Sequence, residues 1–388
     1  MKIRIRIVLA SAVLCGAIGI AGAPQAQAGP PVVPGPGDGS AAVFISSTGA
    51  PGLTNGYTYN SSGGAVSVGQ LDATHYWISF QSMGGGTYTN AQLTVWNGAS
   101  GPTIDPVCTI DKTKDVRGDV TVWFECTPFP TSSLVGAQLF VNVTNRTHPD
   151  AARARIPGFV AVTTASPSAA SETPVNQYRS SGTGAASVTR TALGRYTVTV
   201  PSAAYASGQG VAFATALTVS PTVDPAYTRY CNPQSWYSSG TKMIVKVACF
   251  MGIGTAADAR FSLRLTTRNH LGGTQPGGSQ WVSDPASAGY AATSYGWNSA
   301  GGTNFVRSLA IWEGAGVSQA QWNGATYAVG KVPSLLVSGY GGNHRCTLEY
   351  HGYHPVDLYT NATVRCYDPA GGGVGVPSAR YTVGLVQL

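Results

Sequence analysis

Charge is scarce in this chain: Asp, Glu, Lys and Arg make up 10% of its 388 residues, against about 25% in an ordinary domain. Coiled coils and charge-rich disordered tails are excluded. Glutamate occurs only at Glu125, Glu172, Glu313 and Glu349, and no acidic position recurs along the chain. A paired-carboxylate glycosidase needs two carboxyls about 5 to 9 Å apart across a cleft, and nothing in the pattern marks such a pair. No run of five Lys or Arg exists, so a nucleic-acid partner has no electrostatic footprint. His-Glu-x-x-His, the P-loop, the G-x-S-x-G elbow and the dinucleotide glycine fingerprint are all missing. The nearest approach, Gly316-Val317-Ser318-Gln319-Ala320, lacks the closing glycine. Beyond the first thirty residues no stretch approaches eighteen apolar residues without a polar interruption, so no transmembrane helix is expected.

Lys2, Arg4 and Arg6 stand at the N-terminus, ahead of an apolar run from Ile7 to about Ala21 and an Ala26-Gln27-Ala28 end. This is the three-part pattern of a secretory signal peptide, with residues 1–28 expected to be removed. The remaining 20 cations face 16 acids, a net charge of +4. A secreted, extracellular location is expected.

Removing Cys15 with the leader leaves six cysteines, Cys108/Cys126, Cys231/Cys249 and Cys346/Cys366, separated by 18, 18 and 20 residues. An even number in an oxidising compartment argues for disulfides, and the near-equal spacing favours three local bridges over the other fourteen connectivities. Each closes a loop worth about 3 kcal/mol in the chain-entropy model. CxxC spacing is absent, which argues against zinc.

The pairs also define a repeat. From Cys108 to Cys231 is 123 residues and from Cys231 to Cys346 is 115, the length of a whole domain. Other landmarks move with them: Tyr59-Asn60-Ser61-Ser62-Gly63-Gly64, Tyr178-Arg179-Ser180-Ser181-Gly182-Thr183 and Trp297-Asn298-Ser299-Ala300-Gly301-Gly302 before the pairs. The alternating runs Leu139/Val141/Val143, Phe261/Leu263/Leu265 and Tyr381/Val383/Leu385 come after them. Inside a repeat the hydrophobic period is two, as at Tyr196/Val198/Val200 and Val120/Val122/Phe124/Cys126. That is the pattern of half-buried strands, and it points each second cysteine into a core. The expected fold is all-β, with three tandem β-sandwich modules of the immunoglobulin-like or jelly-roll kind, each holding one local disulfide. Module 1 is expected at 44–143, module 2 at 159–265 and module 3 at 281–388. A Pro/Gly-rich arm at 29–43 and linkers at 144–158 and 266–280 complete the chain.

The combination of aromatic-x-Ser-x-Gly-Gly, the strand Gly194-Arg195-Tyr196-Thr197-Val198-Thr199-Val200-Pro201, the cysteine spacing and the closing alternating run resembles tandem disulfide-containing β modules of uncharacterised secreted bacterial proteins. The resemblance implies export and tandem β modules, and it brings no established activity or catalytic residue. Module 3 departs from it around Ile311 to Asn323, which reads as an insertion in place of the compact Gly-x-Tyr strand.

With catalytic motifs missing, the aromatics are the leading binding candidates: Trp96, Trp123, Trp236, Tyr237, Trp312 and Trp322. Trp123 has outward parity beside Val122 and Phe124, and a flat indole on a sheet face offers apolar area with a polar edge for stacking on sugars or other polymers. The expectation is a non-catalytic binding or structural protein that contacts a carbohydrate or another cell-surface or extracellular polymer, without a cofactor. One alternative is a secreted hydrolase in module 3, with His351, His354 and Asp357 as catalytic candidates and His344, His351 and His354 as metal candidates. On a strand, residues three apart face opposite sides, so these would meet one metal only from a turn. A further alternative is an inhibitor or toxin component acting on a secreted partner. The segment Asp111-Lys112-Thr113-Lys114-Asp115-Val116-Arg117-Gly118-Asp119 reads as a solvated charged turn, because its cations neutralise a calcium-binding pattern of acids.

Overall fold

The hydrophobic alternation resolves into strands throughout. The computed structural model describes residues 39–46, 52–72, 74–84, 88–96, 107–116, 118–127, 138–146, 159–179, 184–201, 210–217, 228–267, 276–287, 289–291, 295–309, 315–324, 333–354, 357–370 and 374–387. The expected signal peptide, most of the Pro/Gly-rich arm and most of the first linker lie outside these residues. Among them there is no helix.

The first third of the chain forms β1 (Gly39–Ser46), β2 (Gly52–Asn60), β3 (Val66–Gln70), β4 (His75–Phe80), β5 (Tyr88–Trp96), β6 (Val107–Val116), β7 (Asp119–Thr127) and β8 (Gln138–Arg146). The second forms β9 (Phe159–Thr163), β10 (Ser171–Glu172), β11 (Asn176–Arg179), β12 (Ser187–Ala192), β13 (Arg195–Val200), β14 (Val211–Leu217), β15 (Arg229–Ser239), β16 (Lys242–Met251) and β17 (Arg260–Thr266). The third forms β18 (Gly277–Val282), β19 (Tyr290–Ala291), β20 (Gly296–Asn298), β21 (Asn304–Ser308), β22 (Val317–Asn323), β23 (Pro333–Gly339), β24 (Arg345–His354), β25 (Tyr359–Tyr367) and β26 (Tyr381–Gln387).

One pairing scheme occurs three times. The first third pairs as β2-β1-β8-β5 and β3-β4-β7-β6, the second as β11-β9-β17-β14 and β12-β13-β16-β15, the third as β20-β18-β26-β23 and β21-β22-β25-β24. This differs from the A-B-E-D and C-F-G order of an immunoglobulin domain. Each third has a hydrophobic core drawn from both of its sets of strands, as with Val43, Leu93 and Val141 against Ile78, Ile110 and Phe124. The second and third cores follow suit. Three local disulfides, Cys108–Cys126, Cys231–Cys249 and Cys346–Cys366, join residues directly opposite on β6/β7, β15/β16 and β24/β25. Their Cα atoms are 4.1, 4.0 and 4.0 Å apart, close to the spacing of non-hydrogen-bonded pairs. The second cysteine of each pair is buried, as its parity required. Three residues beyond each first cysteine the register slips by one, at Asp111, Gln234 and Glu349, giving the same β-bulge three times.

The thirds do not sit as separate beads, because their sheets merge. Leu217 on β14 pairs in parallel with Ile110 on β6, and Leu348 on β24 with Trp96 on β5. An eight-stranded and a nine-stranded sheet result. At the remaining junction Gly341 N–H donates to Pro233 O at 3.0 Å. Pro233 occupies the place of Ile110 and Leu348 and has no N–H to return a bond, so this contact stays a single hydrogen bond. A cyclic set of side-chain bonds repeats the pattern: Leu93 N–H donates to Thr215 Oγ1 (3.2 Å), Ala214 N–H to Ser338 Oγ (3.2 Å) and Val337 N–H to Thr94 Oγ1 (3.0 Å). Each third thus gives one N–H and one hydroxyl to its neighbours, and the ring closes.

Two expectations about the strands change. β1 begins at Gly39 and β18 at Gly277, inside the residues read as arm and linker. Gly277-Gly278 reads as flexible, but a Cβ on Gly278 would fall 2.1 Å from the ring of the fully buried Trp322. The glycine is a site of close approach inside a strand. The stretch from Ile311 to Asn323 contains β22, which holds the same place as β4 and β13.

Two measurements follow. Replacing Cys231 and Cys249 together by Ala should lower the urea-unfolding free energy by about 3 kcal/mol. At the junction of the first and second thirds, Arg264 is fully buried and donates to Asn90 Oδ1 (2.9 Å) and Asn90 O (3.0 Å). Asn90→Ala removes the side-chain acceptor from a dry guanidinium and should cost about 2 kcal/mol. Because the sheets are shared, the loss should appear as a shift of one unfolding transition rather than as a second transition.

Candidate binding surface

The six aromatic candidates have different fates. Trp322 is 0% exposed and belongs to the core of the third third. Trp236 is 6% exposed and packs edge-on against Trp281, Tyr295 and Tyr340, with ring centroids 6.4, 5.9 and 5.1 Å away. Both rings are buried by packing and offer no surface. Tyr237, the next residue on β15, points the other way and is 46% exposed. Trp312 lies outside the described residues, and of Trp96 only the backbone is described, at the edge of β5. Trp123 is half-buried on the outer face of β7, where its parity put it.

Around Trp123 the register builds an aromatic row that sequence reading missed. Trp77 on β4 is directly opposite Trp123, Gly69 on β3 is opposite Trp77, and Lys112 on β6 is opposite Trp123. A Cβ on Gly69 would lie 2.2 Å from Trp77 Cε2, so glycine is what lets the indole lie flat over β3. Lys112 Nζ lies 5.0 Å from the Trp123 ring centroid, a cation–π arrangement worth about 0.5–1 kcal/mol at an exposed site. The charged turn expected here is therefore a strand in its first half, with Lys112 lying against the aromatic row. Trp77 was readable from the alternation His75-Tyr76-Trp77-Ile78-Ser79-Phe80, in which Tyr76, Ile78 and Phe80 are buried and the residues between face outward.

Polar rows flank the indoles. On one side Thr121 Oγ1 donates to Ser79 Oγ at 3.3 Å, with Ser67 and Lys114 in register. On the other side His75 Nδ1 lies 2.8 Å from Asp72 Oδ2, and its Nε2 lies 3.9 Å from Glu125 Oε2. The Thr74 N–H and then the His75 ring hold the Asp72 carboxyl well below the usual carboxylate range. Burial pushes Glu125 up, with His75 opposing. The face is a flat apolar strip between hydrogen-bonding rims. The equivalent positions of Trp77 are Thr197 and Gln319, and those of Trp123 are Lys246 and Thr363, so the strip belongs to the first third alone.

The histidines of β24 and its approach are held apart by their surroundings. His344 Nε2 lies 2.7 Å from Arg380 O, and burial lowers the ring's pKa. His351 packs edge-on against Phe140 of the first third at 5.8 Å. His354 is exposed on the opposite face of the strand, 3.1 Å from Asp357 Oδ2 and stacked on Tyr359 at 5.1 Å. Among the described residues no group of three or more His, Cys, Asp or Glu is placed to hold a metal ion, and no helix is long and apolar enough to cross a membrane. No protein-family model, no curated protein and no solved structure matches the chain.

His351 has a measurable signature. Burial pulls its pKa down from 6.5 to about 4. Between those values the unfolded chain binds the proton and the folded chain does not, so the contribution to stability is full above about pH 6.5 and is lost as pH falls toward 4. Urea unfolding of wild type should weaken by about 2 kcal/mol more than that of His351→Phe between pH 7 and pH 4.5. Parallel pH profiles for the two proteins would refute the assignment.

Proposed function

We propose that the protein is a secreted, non-catalytic binding protein, made of three copies of a disulfide-clipped β-sandwich module, that attaches to an extracellular carbohydrate polymer through the outer sheet face of its first module. The observation that carries this is the Gly69–Trp77–Trp123–Lys112 row, two half-buried indoles in register on one outer face with hydrogen-bonding rims on both sides. Indole faces bury the apolar C–H surface of sugar rings, and polar neighbours receive their hydroxyls. Export is supported by the leader pattern and by three disulfides, which persist in oxidising compartments. The closed ring supports a rigid scaffold role, since a face on a fixed framework loses little entropy on binding.

The test is adsorption of the purified protein to cellulose, chitin and insoluble xylan, compared with a Trp77→Ala/Trp123→Ala variant. Wild type should be retained on at least one polymer, and the variant should lose affinity at least tenfold while still unfolding in one cooperative transition. Equal retention of both proteins, or no retention of wild type, would overturn the reading.

A further inference from the structure

The three junctions of the ring carry different side chains at matching positions, and the one between the first and second thirds holds a cavity. Between the second and third thirds Trp236, Trp281, Tyr295 and Tyr340 pack edge to face. The strand registers place Thr113, Thr163, Asn176 and Leu217 at those four positions between the first and second thirds. At the junction between the third and first thirds the first two of these places hold His351 and Phe44, with Phe140 packed against both. Three polar residues and a leucine in place of four aromatics leave a cavity that all four line.

We infer that this cavity is a second binding site, for a single glycosyl residue of the polymer that the Trp77–Trp123 row contacts; the inference rests on that reading of the row. Two observations carry it. The cavity lining is amphipathic in the way a sugar ring is: Ile110, Leu217 and Ala91 supply apolar wall, while Thr113, Thr163 and Asn176 supply hydrogen-bonding groups. Ser262, 1% exposed, accepts from Asn90 Nδ2 (2.6 Å) and Gln92 Nε2 (2.9 Å). With both lone pairs engaged, its hydroxyl proton is left to donate, and the residue lines the cavity. Lys112 belongs to both sites, lining the cavity and lying over Trp123. Asp111 and Arg260 add a carboxylate and a guanidinium for further hydroxyl contacts.

The test fills the cavity with the residues its counterparts carry. Thr113→Trp restores the side chain found at position 236, and Thr163→Phe restores the one found at position 44. Each is measured by thermal unfolding, by adsorption to the polymer that retains wild type, and by calorimetric titration with soluble cello-, chito- and xylo-oligosaccharides. The expected result is an equal or higher thermal midpoint, adsorption retained through Trp77 and Trp123, and oligosaccharide affinity reduced at least tenfold. Unchanged oligosaccharide affinity in both variants, or a wild type that adsorbs to polymer but takes up no oligosaccharide, overturns the cavity site and leaves the surface row standing. A lowered midpoint in both variants shows that the space is already filled and also overturns it. A wild type that neither adsorbs nor binds oligosaccharides overturns both readings.

Discussion

An unpaired sheet edge is costly to leave in water and invites wrong partners, and in each third of this chain two sheet edges are turned toward neighbouring thirds. They are the strand before the first cysteine and the strand that carries it: β5 and β6, β14 and β15, β23 and β24. The ring answers this by setting each carrier strand against the neighbouring third's preceding strand. At two junctions the answer is a parallel backbone pairing; at the junction containing Pro233 it is one backbone hydrogen bond, reinforced by Asn232 Nδ2 donating to Gly342 O and His344 O and by four interlocked aromatic rings. The hydroxyls of Thr94, Thr215 and Ser338 complete the closure by accepting N–H groups that a lone third would have left to water.

Much of the local structure was legible in the sequence because its causes are local. The period-two alternation located the strands, and cysteine spacing located the cross-strand bridges. Trp123 could be assigned to an outward face from parity alone. What escaped reading depends on contacts between distant segments. Gly278 reads as linker until Trp322 is seen lying against it, and Trp236 reads as a surface ring until Trp281, Tyr295 and Tyr340 cover it. Trp77 was accessible by the same parity argument as Trp123, but its significance comes from register: only the pairing of β4 with β7 sets the two indoles side by side. The merging of sheets between thirds left no pattern in the sequence, since polar residues such as Gln92, Asn142 and Ser338 look like solvent-facing positions and are buried between thirds instead.

The junctions show how one geometry is satisfied by different chemistry. At a single repeated position β8 offers Asn142 to Ser334 and Leu335, β17 offers Arg264 to Asn90, and β26 carries Gly384, opposite Ser279 and Leu336. Amide, guanidinium and glycine each solve the same packing problem with a partner suited to it. Buried polar groups of this kind require their partners to be in place, which fixes the order in which the thirds meet around the ring.

Internal triplication has an evolutionary corollary. When one backbone arrangement is copied three times, each structural task is held in triplicate, and one copy can drift while the others continue to hold the assembly. One seam of this ring carries Trp236, Trp281, Tyr295 and Tyr340 where another carries Thr113, Thr163, Asn176 and Leu217, so the same framework accommodates both sets.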